Sequence, residues 1–275
     1  IDINKSFHYF TLGSNLNCPN SQFILGNIYY RGLFTPKDIK KGLYFIALSA
    51  KNGHKHSLFL YGYVLHEGKN IKKDINAAIK LYKEASSFNS QYAKNNFGII
   101  HKFGFGNEVV ANSANAVVYF KEAIHQKNDF LSMYNLANIY IFDDAIKQDI
   151  DTSIDLLIRS SPYFYHSTFL LYLVLLNKFG YDINAIMKFI DEKANHSCEL
   201  SSKIMEMFNK TQYFPRSVFK EAFDSYKDHL FLYDFDINPI SFLDFQDQAN
   251  YQNPLQNKNV KNISEKFYEG FGLSI

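Results

Sequence analysis

The stretch SQFILGNIYYRGLFTPKDIKKGLYFIALSAKNG, residues 21–53, decides the fold, because its spacing of glycine, aspartate and small residues returns 36 residues later. Self-similarity at a fixed period of this length is typical of repeat architectures. The positions that recur are Gly26, Gly62 and Gly98, then Gly32, Gly68 and Gly104, and the Lys-Asp pairs at 37–38 and 73–74. A series of similar structural units is therefore predicted.

Less regular copies extend the series in both directions. A fourth copy, from residue 131, has Ala137 where the others have the first glycine, and a fifth keeps Asp182 but has lost most of its small residues. The first residues of the chain match the second half of a unit. Because the repeats open in mid-unit, we expect the chain to be part of a longer polypeptide.

Each unit is predicted to contain two helices. The first is apolar and ends near a glycine such as Gly32, which can terminate a helix in the left-handed conformation. An aspartate then stands where the next helix needs an N-cap, and this holds at Asp38, Asp74, Asp149 and Asp182. The second helix carries an apolar or small stripe at helical spacing, which in the second unit consists of Ala78, Leu81, Tyr82, Ala85 and Ser86. One such pair cannot bury its apolar faces alone, so successive pairs must stack.

The segment LGNIYYRGLFTPKDIKKGLYFIALSA, residues 25–50, resembles the Sel-one-like repeat family, a cousin of the tetratricopeptide repeats with a slightly longer unit. Residues 61–86 match next best. The resemblance implies an all-α fold, a right-handed α-solenoid of helix-turn-helix repeats. It further implies a chain that binds other proteins as an adaptor or scaffold and has no catalysis of its own.

The predicted domain organisation follows the repeats and their loss. The ranges are a half repeat at 1–20, repeats at about 21–55, 56–91, 92–130 and 131–166, a degenerate unit at 167–194, non-repeat capping helices at 195–233 and an irregular tail at 234–275. Within the capping region, helical spacing extends over 198–208 and 215–232, and Pro215 suits a first helical turn.

Composition narrows the function class. The 29 lysine and arginine residues nearly balance the 27 aspartate and glutamate residues, which argues against a nucleic-acid partner. The most apolar run, 169–176, is far shorter than the roughly 20 residues of a membrane helix. Cys18 and Cys198 are too few and too far apart for a disulfide scaffold. We therefore expect other proteins as partners and a cytoplasmic location, with the lumen of the endoplasmic reticulum as the alternative if a signal precedes this chain.

No group of residues in the sequence has the pattern of a catalytic site. His54 and His56 could hold a metal but fit a solvated loop better, and Gly104-Phe105-Gly106 lacks the third glycine of a dinucleotide-binding loop. The paired aspartates near 143–151 fall at helix ends, where capping explains them. No cofactor is therefore expected. Two alternatives are left open. The repeats could serve as the regulatory arm of a larger enzyme, such as a kinase or a ubiquitin-ligase complex of quality control in the endoplasmic reticulum, or the region 195–275 could carry an activity.

A binding surface can be predicted from the helical wheel of the first helices. Positions one, four and five residues after the first glycine lie opposite the repeated small and apolar positions. The twelve residues at these positions are Asn27, Tyr30, Arg31, Tyr63, His66, Glu67, Ile99, Lys102, Phe103, Asn138, Ile141 and Phe142. We call this set the predicted strip. It is interpreted as a concave face that meets a partner, with coverage by neighbouring units or the tail as the alternative.

Overall fold

The computed structural model describes residues 3–68, 70–105, 109–194, 198–227, 229–233 and 251–252. Most of these residues are helical, in two compact units that divide between Ala111 and Asn112. In the first unit the helices are α1 (Ile3–Asn15), α2 (Pro19–Arg31), α3 (Ile39–Lys51), α4 (Lys55–Glu67), α5 (Ile75–Ser87) and α6 (Gln91–Phe103). In the second unit they are α7 (Ser113–Lys127), α8 (Phe130–Phe142), α9 (Ile150–Ser160), α10 (Tyr165–Lys178), α11 (Ile183–Lys193), α12 (Cys198–Thr211) and α13 (Arg216–Ser225).

Close approach of two backbones holds the hairpin of α2 and α3 together. A Cβ atom added at Gly42 would lie 2.5 Å from the backbone nitrogen of Tyr30, and one added at Gly26 would lie 2.6 Å from Cγ1 of Ile46. Neither position has room for a side chain, so the recurring small residues are a packing requirement. In the hairpins α4–α5 and α8–α9 the two helices likewise pack directly against each other.

The turn inside the hairpin α2–α3 is repeated in detail in α4–α5. In the first, Gly32 adopts the left-handed conformation with φ 73° and ends α2, while the Asp38 carboxylate accepts a hydrogen bond from the Lys41 backbone N–H and caps α3. The Asp38 N–H donates to the Tyr29 carbonyl at 2.8 Å and closes the turn. Gly68 and Asp74 repeat this arrangement in the next hairpin.

The predicted caps are confirmed in the second unit as well. Asp149 caps α9 by accepting from the Thr152 N–H, and Asp182 caps α11 by accepting from the N–H groups of Asn184 and Ala185. Asn112 does the same for α7. The predicted pattern of paired helices, each second helix started by an Asx cap, therefore extends through both units.

Three local expectations need correction. The helix predicted over 215–232 ends at Ser225, because the following residues leave the helix and bond to α8. Pro215 precedes the first turn as the N-cap residue and does not lie within that turn. Gly104 has φ 70° but an extended ψ of 164°, so the chain turns into a short bridge between Phe105 and Val109 without a left-handed cap.

Little of the predicted tail falls within the described residues. Two short strands are described, β1 (Leu232–Tyr233) and β2 (Tyr251–Gln252). The rest of the irregular tail predicted at 234–275 lies outside the described residues.

Candidate protein-interaction surface

The predicted strip divides into buried and accessible members. Seven of its residues are buried, namely Asn27, Tyr30, Tyr63, His66, Ile99, Asn138 and Ile141. Five keep part of their surface exposed, namely Arg31, Glu67, Lys102, Phe103 and Phe142. Four of these five residues stand five positions after the first glycine of their repeat, or after Ala137 in the fourth copy. The fifth, Lys102, stands four positions after Gly98.

The buried members lie where a first helix meets its neighbours. The backbone of Tyr30 is the part of α2 that contacts Gly42, so this residue belongs to the hairpin interface. The ring of His66 lies edge-on to Phe105, with ring centroids 4.9 Å apart. Burial, with a smaller contribution from the charge of Lys73, lowers the pKa of His66 to about 4. A neutral His66 is therefore part of the packing of the first unit.

In the second unit, α8 binds the main chain of a later part of the same protein. The side-chain amide of Asn135 makes two hydrogen bonds to Phe231: its Nδ2 donates to the Phe231 carbonyl and its Oδ1 accepts from the Phe231 N–H, both at 2.9 Å. One turn further along α8, Asn138 Nδ2 donates to the Tyr226 carbonyl at 2.7 Å. Both asparagines bind backbone atoms, so we call the described residues of this stretch, 226–227 and 229–231, the docked segment.

Aromatic rings surround the first anchor of the docked segment. Phe231 is 4% exposed and lies with its ring centroid 4.8 to 5.2 Å from those of Tyr134, Phe164 and His166. Phe164 immediately precedes α10, and His166 lies in its first turn. Edge-to-face pairs of this kind contribute beyond the area that they bury.

The second anchor is Tyr226, which is 3% exposed. Its hydroxyl lies 3.2 Å from Nδ1 of His166, and its ring is 5.7 Å from that of Phe169. Just upstream, Phe223 of α13 contacts the strip residue Phe142, with ring centroids 4.8 Å apart. In the second unit, the strip residues Asn138 and Phe142 are thus contacted by the region from α13 to the docked segment.

Two histidines meet at this surface. His166 and His229 have ring centroids 5.7 Å apart. Burial, and then the neighbouring His229, lowers the pKa of His166 to about 3, and burial lowers the pKa of His229 to about 4. Both rings are therefore neutral at pH 7, and a charge on either would lie among aromatic rings.

Sequence reasoning placed Asn138 in the strip but missed Asn135 and the docked segment. The available signal was composition: Asn135 and Asn138 are amides in the otherwise apolar helix FLSMYNLANIYIF. A fully buried amide in such a helix needs hydrogen-bond partners, which points to a chain crossing the helix. The identity of that chain could not be read from the repeat period, because the partner of Asn135 lies 96 residues further on.

The other candidate chemical groups have structural roles. His54 accepts a hydrogen bond from the Ser57 N–H as the cap of α4, and its ring packs on Phe23 with centroids 4.5 Å apart. Asp149 is a helix cap, and Asp151 pairs with Lys178 at 2.6 Å. Among the described residues, no three histidine, cysteine or carboxylate side chains are grouped to hold a metal ion. No helix in the described part of the chain has the length and apolar character needed to cross a membrane.

Comparison with known proteins identifies the class of repeat. The family model of the Sel1 repeat matches residues 19–54, 55–87 and 131–161. The chain therefore contains three Sel1 repeats, which confirms the resemblance found in the sequence. No curated protein matches the chain.

Solved structures with the same fold are also Sel1-type proteins. A Sel1 repeat protein from Oxalobacter formigenes is 21% identical, with a TM-score of 0.59 over 72% of this chain and 78% of that one. The protective antigen c5321 of uropathogenic Escherichia coli, described as having an SLR fold, is 17% identical, with a TM-score of 0.60. That match covers 80% of this chain and 48% of the antigen. At these identities the likeness shows the fold: a helical solenoid of Sel1 repeats.

Proposed function

We propose that the chain is a non-enzymatic adaptor that binds segments of other proteins on the exposed sides of its first helices. Sel1 repeat proteins generally mediate protein–protein interaction. The observation that carries the proposal is the pair of asparagines on α8, which hold a non-helical segment by its main chain. A surface that already binds one peptide segment has the chemistry to bind others.

The recognition chemistry follows from the asparagine side chain. A primary amide offers a donor and an acceptor side by side, which matches the C=O and N–H of a single residue. Such a pair selects a peptide backbone in a fixed position without selecting its side chains. Specificity must then come from the pockets on either side, as it does in other modes of peptide recognition that use main-chain hydrogen bonds.

The first unit offers a different surface to the same kind of partner. Its accessible strip members, Arg31, Glu67, Lys102 and Phe103, combine charges of both signs with an aromatic ring. Lys102 lies with its Nζ 5.8 Å from the centroid of the Phe103 ring. A mixed polar and aromatic surface of this type is typical of protein interfaces. We assign the accessible strip as the part of the first unit that meets a partner.

A charge-reversed variant tests this assignment. Glu67→Lys with Lys102→Glu changes two strip residues that are not buried, whereas replacing buried Tyr30 or His66 would damage folding. The matched control is Lys40→Glu with Glu84→Lys, which makes the same charge changes on exposed sites of α3 and α5. Proteins captured by the wild type and quantified by mass spectrometry should be depleted at least tenfold with the strip variant and retained by the control. Equal capture by all three chains would contradict the proposal.

A further inference from the structure

We propose that the α8–α10 surface of the second unit is a groove for a turn-containing peptide of a partner protein, with aromatic side chains five residues apart. The docked segment occupies this groove as an internal ligand. The inference rests on the proposed function, since it names the kind of segment that one surface of the adaptor accepts. The partner segment would replace Tyr226 and Phe231 with its own aromatic pair.

The first step is that the docked segment is held like a peptide. Three hydrogen bonds from Asn135 and Asn138 go to its main chain, and all three are short. Its backbone includes a turn, because the His229 N–H donates to the Tyr226 carbonyl at 3.1 Å. None of these bonds depends on the identity of the side chains in the segment. Any peptide able to form the same turn can present the same backbone groups.

The second step is that the side-chain contacts are confined to a few anchors. Tyr226 and Phe231 are buried in the aromatic surroundings described above, and Leu230 is 1% exposed. The ion pair of the segment, Lys227 with Asp144 at 3.5 Å, has side chains that are 52% and 96% exposed. Such an exposed pair contributes little. Recognition therefore rests on apolar anchors, and the pattern of a competing peptide is an aromatic residue, four residues and a second aromatic residue.

The third step is that a partner peptide must compete with the docked segment for the groove. Tyr226 follows the last residue of α13 directly, so the docked segment is tethered beside its groove. A short tether gives an effective concentration in the millimolar range. A partner that carries the same anchors at micromolar concentration therefore displaces the segment poorly. The internal ligand therefore sets a threshold: a partner segment enters the groove only if it binds more tightly than this competition requires.

The test is binding of a synthetic peptide to a chain whose own segment has been released. The released variant carries Tyr226→Ala and Phe231→Ala, and the probe is a fluorescein-labelled peptide of residues 224–233, DSYKDHLFLY. The control probe has alanine in place of Tyr226 and Phe231 and keeps Tyr233. Fluorescence anisotropy should show the native peptide binding the released variant at least tenfold more tightly than it binds the wild type. The control peptide should bind the released variant at least tenfold more weakly than the native peptide does.

Two further chains make the result decisive. Adding Asn135→Ala to the released variant removes both bonds to Phe231 and should weaken peptide binding by about tenfold or more. If the released variant does not fold, Phe231→Ala alone replaces it, with selective binding of the Phe231-containing peptide still expected. Absent binding to a folded variant, or equal binding of both peptides, would overturn the inference. So would dimerisation of the released variant that blocks the probe, because the occupant would then be a second copy. The charge-reversal experiment on the first unit is unaffected by any of these outcomes, so the proposed function can fail or stand separately.

Discussion

Asn27 in the first unit and Asn138 in the second occupy the same repeat position, one residue after Gly26 and Ala137, yet they do different things. Asn27 Nδ2 donates to the Phe23 carbonyl of its own helix at 2.9 Å. Asn138 Nδ2 donates to the Tyr226 carbonyl of a segment that crosses α8. In these two units the repeat position carries an amide on a first helix, and the surrounding chain decides whether that amide bonds within its helix or binds another segment.

The hairpin α2–α3 of the first unit and the hairpin α8–α9 of the second unit also differ in the residues at their closest contact. In the first, Gly26 and Gly42 face neighbouring backbone and side-chain atoms with no room for a Cβ. In the second, Ala137 and Ser153 stand at these positions, and Ser153 Oγ lies 3.3 Å from the Ala137 carbonyl. The contact between α8 and α9 therefore accommodates a methyl and a hydroxyl group. The repeat tolerates small residues in general, but each hairpin is fitted to its own pair.

The largest effect is expected from adding a single methyl group at the tighter hairpin. Gly42→Ala would place a Cβ atom 2.5 Å from the Tyr30 nitrogen, so α2 and α3 must separate. We expect a loss of about 3 kcal/mol in the free energy of unfolding of the first unit, at the upper end for an overpacked site. Ser153→Ala, which shortens the side chain at the equivalent place, should cost only about 1 kcal/mol. Urea denaturation followed by circular dichroism measures both, and equal losses would mean that the two hairpins are not packed differently.

The next effect is pH dependence confined to the docked segment. The pKa values of His166 and His229 are lowered, so the docked state prefers neutral rings. Docking is then at full strength above the ordinary histidine pKa of about 6.5, and it weakens as the pH falls from there towards the lowered pKa values of about 4 and about 3. At pH 5 we expect a loss on the order of 2 kcal/mol for the two rings together, less than the full shifts imply because both rings keep some exposure.

A local readout is needed for this experiment, because burial also lowers the pKa of His54 and of His66 in the first unit to about 4. The rings of His166 and His229 face each other, and His166 also faces the Tyr226 hydroxyl. The side chains of Lys227 and Asp144 lie nearby and are exposed. NMR signals of Phe231 should shift towards those of an undocked chain between pH 7 and pH 5. In a His166→Gln, His229→Gln variant this change should be absent, and its persistence would assign the effect to other groups.

A smaller contrast separates the two equivalent asparagines. Asn138→Ala leaves the buried Tyr226 carbonyl without its amide partner and should cost about 1–2 kcal/mol. Asn27→Ala removes only a bond back to a carbonyl of the same helix and replaces asparagine with a better helix former, so we expect a change close to zero. Thermal unfolding of the two variants provides the comparison. Similar losses at both sites would show that Asn27 has a role beyond its own helix.

The smallest expected effect is the loss of stability on removing a helix N-cap, and it should be the same in the two units. Asp74→Ala in the first unit and Asp149→Ala in the second each remove a helix N-cap, with an expected loss of about 1 kcal/mol apiece. Chemical denaturation of the two variants tests this equality. A loss at Asp149 several times that at Asp74 would indicate that its additional bond from the Thr152 hydroxyl carries more weight than the cap itself.

The elements that follow from local chemistry could be predicted from the sequence. Asp38 caps α3 because the first N–H groups of a helix need a hydrogen-bond acceptor. Gly32 ends α2 because a helix C-terminus often closes with a residue in the left-handed conformation. Gly26 and Gly42 likewise predict a close contact of two helices, because small residues recur at the equivalent positions of other repeats. These signals depend only on nearby residues, which the repeat copies several times.

The strip was predicted less fully, for a geometric reason. The wheel assumed that a first helix buries one face, but α4 packs against both α3 and α5, so burial extends around it to Tyr63 and His66. The docked segment lay beyond any periodic argument. Its contact with Asn135 joins residues 96 positions apart, outside the repeated part of the chain. Long-range contacts of non-repeated segments leave no trace in a repeat pattern.

The most direct test of the account is hydrogen exchange at one amide, that of Phe231 in the wild-type chain. Its N–H donates to Asn135 Oδ1 in a buried setting, so NMR should show exchange slowed at least a hundredfold relative to an unstructured peptide. The slowing should be lost in the Asn135→Ala variant while amides of α2 and α3 remain protected. Exchange of the wild-type Phe231 amide at the rate of a free peptide would contradict the claim that α8 binds this segment by its backbone.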